Sequence, residues 1–148
     1  QVIHECQTVF PQCLIDIDVA GDPSGNWDGE RLAQVVANLV GNAARHGDSG
    51  SQVRVCIDGV QADWVTLSVA NAGLIPEHLL PTIFDPFRSG NDRHLAGHGG
   101  GLGLGLYIVR QIVSAHQGEI TVQSTPETHT VFTVRMPRNV CARQCLDD

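Results

Sequence analysis

The 148-residue chain contains no lysine: its nine basic residues are all arginine. That absence excludes several routes to phosphate and carbonyl chemistry. A P-loop requires Gly-Lys-Ser/Thr, the lysine-type protein kinase site sets a strand lysine on the phosphates, and a Schiff base requires an amine. Long apolar runs are missing as well, so nothing in the sequence reads as a transmembrane helix. Positions 1–10 have neither the basic start nor the apolar stretch of a signal peptide. Positive charge is scarce: the formal net charge of −7 argues against a broad nucleic-acid footprint. The five cysteines are odd in number and have no framework spacing. Cys141 and Cys145 lie in a polar tail, and Cys6, Cys13 and Cys56 lie in or near strand-like segments. They read as reduced structural thiols of a cytosolic protein rather than as zinc ligands or disulfides. The chain does not begin with Met, which raises the expectation of a longer parent.

What is present suits one folded domain. Hydrophobic residues make up 42% of the chain and charged residues 17%, enough apolar content for one core. Residues 13–19 alternate apolar and polar, as a strand does. Asp28 is positioned as an N-cap before Leu32, Val35, Val36, Leu39, Val40 and Ala43, which follow helical spacing to about His46-Gly47. Val53, Val55 and Ile57, then Val65, Leu67 and Val69, alternate on either side of a long turn. Pro76 and Pro81 bracket a short helical turn, and residues 85–101 form a polar, glycine-rich loop. A second long helix is predicted from about Leu102 to His116, with Ile108, Val109, Ile112 and Val113 inward and Gly118 as its stop. Residues 120–122 and 131–134 read as closing strands. The expected fold is α+β, a two-layer sandwich: a mixed, mostly antiparallel sheet of about five strands with three helices on one face. The domain is expected over residues 1–137, with 138–148 a flexible tail.

Three constellations carry chemistry. On the first long helix Arg31, Asn38, Asn42 and Arg45 fall on one strip beside the apolar stripe. They could line a site for anionic oxygens and a hard metal, or be an ordinary solvated edge. The run from Gly97 to Gly105 holds six of the 16 glycines directly before a helix. Converging backbone N–H groups at a helix N-terminus suit phosphate; a flexible linker is the plainer reading. The run follows a polar loop and not a strand, so the dinucleotide-binding context is missing. Third, Val69-Ala70-Asn71-Ala72-Gly73-Leu74-Ile75-Pro76 precedes Ile83-Phe84-Asp85-Pro86-Phe87. Asn71 could face a base edge at the end of the sheet, and Phe84 and Phe87 are read as core anchors before ligand contacts.

Together the three resemble the ATP-binding catalytic domain of sensor histidine kinases, within the fold shared by gyrase, Hsp90 and MutL. "ERLAQVVANLVGNAARHG" is similar to that family's N box, "VANAGLIP" to its first glycine box, "IFDPFRSG" to its F box, and "GGGLGLGLYIVRQIVSAHQGEI" to its second glycine box. The resemblance runs from about Asp28 to Pro137 and is nearest to kinases of the phytochrome-like kind. It implies the Bergerat ATP-binding fold, with Mg2+ and ATP as cofactors. Asn42 resembles the magnesium-ligating asparagine, Asn38 the residue one turn earlier, and Arg45 the basic residue that reaches phosphates; these three would be catalytic. Nucleotide contacts would also come from His46, Asn71, Gly73, Ile75, Phe84 and Phe87. Arg88 and Arg93 on a lid over residues 88–101 would contribute, as would Gly99, Gly101, Leu102, Gly103, Leu104, Gly105 and Leu106.

Two departures stand out. The family's adenine-reading residue is usually an aspartate, and Asn71 stands in its place. Leu74-Ile75-Pro76 is one residue shorter than the common spacing of the box and lacks its second glycine. At position 38 the gyrase-type hydrolases carry a glutamate base; an amide accepts no proton at neutral pH, which favours phosphoryl transfer over hydrolysis. The expected activity is donation of the ATP γ-phosphate to a histidine on a dimerisation and phosphoacceptor domain, with a response regulator as indirect partner. His4-Glu5 is too close to the first strand to be that acceptor, and His94 and His98 lie on too loose a loop to form a metal site. A degenerate domain acting through partner binding, or a gyrase-like or Hsp90-like ATPase, are the alternatives. The isolated piece is expected to be a nearly inactive cytoplasmic monomer without nucleic-acid or membrane contacts. Its parent is expected to be a homodimer, anchored in a membrane or not.

Overall fold

The computed structural model describes residues 14–46, 52–86 and 104–139. Five strands, β1 (Leu14–Gly21), β2 (Gln52–Gly59), β3 (Trp64–Asn71), β4 (Glu119–Thr125) and β5 (His129–Pro137), form one sheet in the order β1-β2-β3-β5-β4. β1 and β2 are parallel, an arrangement that needs the crossover the intervening helix supplies, and every other pairing is antiparallel. Two α-helices, α1 (Gly29–His46) and α2 (Gly105–Ala115), cover one face. The expected mixed, mostly antiparallel sheet is therefore present. The third expected helix is a short 3-10 helix, Glu77–Thr82, with Pro81 inside it. Pro81 has no amide for an α-type bond, so the segment closes with tighter bonds such as Leu79 N–H to the Pro76 carbonyl at 2.9 Å.

Local chemistry sets the helix ends. Asp28 Oδ1 accepts from the Glu30 and Arg31 amides at 3.1 and 3.3 Å, satisfying two donors that the first turn leaves open. The apolar stripe of α1 then buries Val35, Leu39, Val40 and Ala43. α2 buries Val109, Ile112 and Val113 against it. α2 ends in a Schellman motif: Gly118 N–H donates to the Val113 carbonyl at 2.9 Å and Gln117 N–H to that of Ser114 at 3.0 Å. The left-handed residue is Gln117, at φ 61°, and not the expected stop, Gly118. Gly118 serves close approach instead, since a Cβ there would lie 2.5 Å from the Arg135 carbonyl oxygen. The two helices are also tied by His116, whose Nδ1 faces the Ile112 carbonyl at 2.8 Å while Nε2 accepts the Asp28 amide at 3.3 Å.

The helix-facing side of the sheet is apolar row by row. Val69, Phe132 and Val122 form one row across β3, β5 and β4, and Leu67, Val134 and Ile120 the next. The same alternation carried one step further places Asn71, Thr130 and Ser124 in a polar row at one end of the sheet. β4 and β5 extend past the expected 120–122 and 131–134 to reach it. At the opposite end Arg138 and Asn139, placed by expectation in the tail, are held by hydrogen bonds to Ser24, Gly59, Gln61 and Asn26, and residues 140–148 lie outside the described residues. β1 is an outer strand whose Ile17 and Val19 remain exposed, with Asp16 and Asp18 as charges that discourage edge-to-edge pairing.

Candidate functional site

The polar row lies at one end of the otherwise apolar sheet face. Asn71, the last residue of β3, is 5% exposed, and its side-chain amide makes no hydrogen bond among the described residues. Across the strand pair sits Thr130, 2% exposed, and beyond it Ser124. Their hydroxyls hold the turn after β3: Ile75 N–H donates to Ser124 Oγ at 2.8 Å, and Thr130 Oγ1 donates to the Gly73 carbonyl at 2.8 Å.

The strip on α1 lies next to the start of α2. Asn38 Nδ2 donates to the Gly105 carbonyl at 3.2 Å, so the first constellation and the end of the glycine run meet. Asn42, one turn on, is half-buried, and its amide makes no hydrogen bond among the described residues. Its carbonyl oxygen is thus available to a hard cation. Arg45 is exposed and forms no ion pair among the described residues, whereas Arg31 is drawn to Asp28 at 3.7 Å. No side chain caps the N-terminus of α2, and a Cβ built on Gly105 meets nothing within 4 Å. N–H groups at a helix start with no side-chain cap among the described residues suit an anion.

Of the other expected site residues, Gly73 and Ile75 form the turn described above, and Leu104 and Leu106 flank Gly105 at the start of α2. Ile75 and Leu106 also pack against the core. Phe84 is a core anchor: its ring meets the buried Phe132 ring edge-on, with centroids 6.1 Å apart. The side chain of His46, and Phe87, Arg88, Arg93, Gly99, Gly101, Leu102 and Gly103, lie outside the described residues, as does the lid over 88–101. So do His4, His94, His98 and every cysteine but Cys56, which is a half-buried free thiol. Ser124 and Thr130 were not singled out from the sequence. The signal was present: continuing the alternation of Ile120 and Val122, and of Phe132 and Val134, puts both on the covered face.

A cleft of about 520 Å³ opens at the other end of the sheet, lined by Asp22, Ser24, Val60 and Arg138 among others. The Arg138 guanidinium there donates to three backbone carbonyls through its two terminal nitrogens, while its Nε is buried with no partner among the described residues. Among the described residues no group of three or more His, Cys, Asp or Glu is placed to hold a metal ion, and no helix is long and apolar enough to cross a membrane.

An asparagine-bearing helix and a glycine-led second helix thus lie over one face of a mixed sheet that is polar at one end. The chain belongs to the family of histidine kinase-, DNA gyrase B- and HSP90-like ATPases, whose model matches residues 27–140. It is 38% identical over 142 residues to a bacteriophytochrome of Pseudomonas aeruginosa, covering 93% of this chain and 18% of that protein. It is 36% identical over 125 residues to the signal transduction histidine-protein kinase AfsQ2 of Streptomyces coelicolor, covering 84% and 23%. The chain thus spans about a fifth of the length of these curated relatives. The solved catalytic domain of histidine kinase ThkA matches with a TM-score of 0.75 and 27% identity, over 93% of this chain and 90% of that one.

Proposed function

We propose that this chain is the ATP-binding catalytic domain of a sensor histidine kinase. It would bind Mg-ATP and pass the γ-phosphate to a histidine on a dimerisation and phosphoacceptor domain, from which a response regulator is phosphorylated in turn. The observation that carries the reading is Asn71, 5% exposed and with no side-chain hydrogen bond to the described residues, at the polar end of an otherwise apolar sheet face. Asn71 would accept the amino hydrogen of the base through its carbonyl oxygen. The uncapped N–H groups at the start of α2 would hold phosphate oxygens, with Arg45 as a further positive charge. The Asn42 carbonyl oxygen would hold Mg2+, which supplies charge neutralisation on the phosphates. Asn38 spends its N–H on the Gly105 carbonyl and provides no base for water, which supports transfer over hydrolysis. The work is positioning and charge stabilisation, as phosphoryl transfer generally requires.

Calorimetric titration of the chain with Mg-ATP tests the reading. Binding in the micromolar to millimolar range is expected, with phosphate passed to an added phosphoacceptor domain. No binding at millimolar nucleotide would leave a domain that acts through partners. Steady phosphate release by the chain alone would indicate an ATPase.

A further inference from the structure

The turn that replaces the longer form of the first glycine box is clamped at both ends. Gly73 offers its carbonyl and Ile75 its N–H, while Leu74 between them projects outward, 56% exposed. Both ends are taken by hydroxyls of the strand pair β4–β5, which are themselves 2.9 Å apart. The direction of that middle bond follows from counting hydrogens. Thr130 has one hydroxyl hydrogen and gives it to the Gly73 carbonyl, so Thr130 Oγ1 must accept from Ser124. Ser124 Oγ in turn accepts the Ile75 N–H with a lone pair. The chain of bonds runs Ile75 N–H to Ser124, Ser124 O–H to Thr130, Thr130 O–H to Gly73, with every donor used once. Asn71 stands in the same row, directly across from Thr130.

We infer that Ser124 is a positioning residue for the base side of the nucleotide site. It fixes the shortened Gly73–Ile75 turn and, through Thr130, the polarity of the row that contains Asn71. The inference rests on the nucleotide reading above. The missing residue and the missing glycine remove slack from the turn, and the two hydroxyls supply the rigidity that holds it in one conformation. Without the Ser124 hydroxyl, Ile75 N–H loses its acceptor and Thr130 loses the donor that orients it. The phosphate side, built on α1 and α2, makes none of these bonds.

The test compares the chain with its Ser124→Ala, Ser124→Cys and Ser124→Thr variants. Calorimetry gives the Kd for Mg-ATP and for Mg-tripolyphosphate, and amide hydrogen exchange is followed at Ile75 without nucleotide. Ser124→Ala and Ser124→Cys are expected to raise the Kd for ATP about tenfold and to speed Ile75 exchange, with tripolyphosphate affinity unchanged. Ser124→Thr keeps the hydroxyl and is expected to restore both. Equal losses for ATP and tripolyphosphate would make Ser124 a general stability residue and overturn the positioning role, as would unchanged ATP affinity. Unaltered Ile75 exchange in Ser124→Ala would overturn the relay itself. Failure of the unsubstituted chain to bind either ligand would instead overturn the nucleotide reading.

Discussion

At position 71 a neutral amide occupies the buried end of a strand, where a carboxylate would offer a charged acceptor. The difference is one of strength. A charge-assisted hydrogen bond exceeds a neutral one by about 1 kcal/mol, which is roughly fivefold in affinity. Asn71→Asp is therefore expected to tighten Mg-ATP binding about fivefold by calorimetry. Equal or weaker binding would show that the shortened turn has moved this position away from the base. Asn42 offers the complementary experiment at the other end of the ligand. Its amide has no partner among the described residues, so Asn42→Ala removes no hydrogen bond among them and is expected to leave the fold intact. The expected result is that ATP affinity becomes the same with Mg2+ and with EDTA. A retained Mg2+ dependence would put the cation on other groups. The positions of both were legible from local patterns, one on a helical strip and one closing an alternating strand, while the roles expected of them came from the resemblance to a family's motifs. Ser124 and Thr130 were not legible, because their meaning depends on a pairing between β3 and β5 that brings Asn71 opposite Thr130.

Elements with strong periodicity were the most legible. The α1 stripe packs on the core as its spacing requires, with Val35, Leu39, Val40 and Ala43 buried and Leu32 and Val36 partly so, and Asp28 caps it. Ends set by tertiary contact were less so. The stop of α2 looks from the sequence like a glycine in the left-handed region, yet Gln117 takes that conformation because Gly118 is needed one position later. There the helix exit passes β5, and a Cβ would press on the Arg135 carbonyl. A non-glycine residue with left-handed φ costs about 1–2 kcal/mol, partly offset in a glycine replacement by greater unfolded-state entropy, about 0.5–1 kcal/mol. Gln117→Gly is thus expected to stabilise the chain by about 0.5 kcal/mol or more, read as a higher urea midpoint with an unchanged m-value. A lower midpoint would mean that the Gln117 side chain contributes more than its backbone costs. Gly118→Ala should move the midpoint the other way.

At the scale of the whole molecule the chain closes on itself through Arg138, at the end of the sheet remote from Asn71. β3 alone separates the two ends by seven residues of strand, roughly 23 Å. The Arg138 guanidinium donates to the carbonyls of Ser24, Gly59 and Gln61 at 2.6, 2.7 and 2.8 Å, and its own carbonyl accepts the Asn26 amide. Loops after β1 and β2 and the exit from β5 are thereby joined by one side chain. No local pattern announces this, since its three acceptors are backbone groups 77 to 114 positions away. The planar fork is what lets one residue serve three carbonyls, and a lysine ammonium cannot reproduce that reach. Beside it, bonds from the Ser24 hydroxyl and amide, and then the charge of Arg138, hold the Asp22 carboxyl below its ordinary value. A lowered carboxylate pKa contributes stability above the ordinary carboxylate range and loses it as pH falls through the lowered value. Asp22→Asn should therefore lower stability at neutral pH, with the gap to the unsubstituted chain closing in acid. Arg138→Ala is expected to cost about 2–3 kcal/mol in urea unfolding, and Arg138→Lys to recover less than half of it. Because the clasp lies at the far end of the sheet, nucleotide affinity below the unfolding transition should remain unchanged in both. Full recovery by lysine would show that charge alone closes the fold. A matching loss of ATP affinity would show that the two ends of the sheet are coupled.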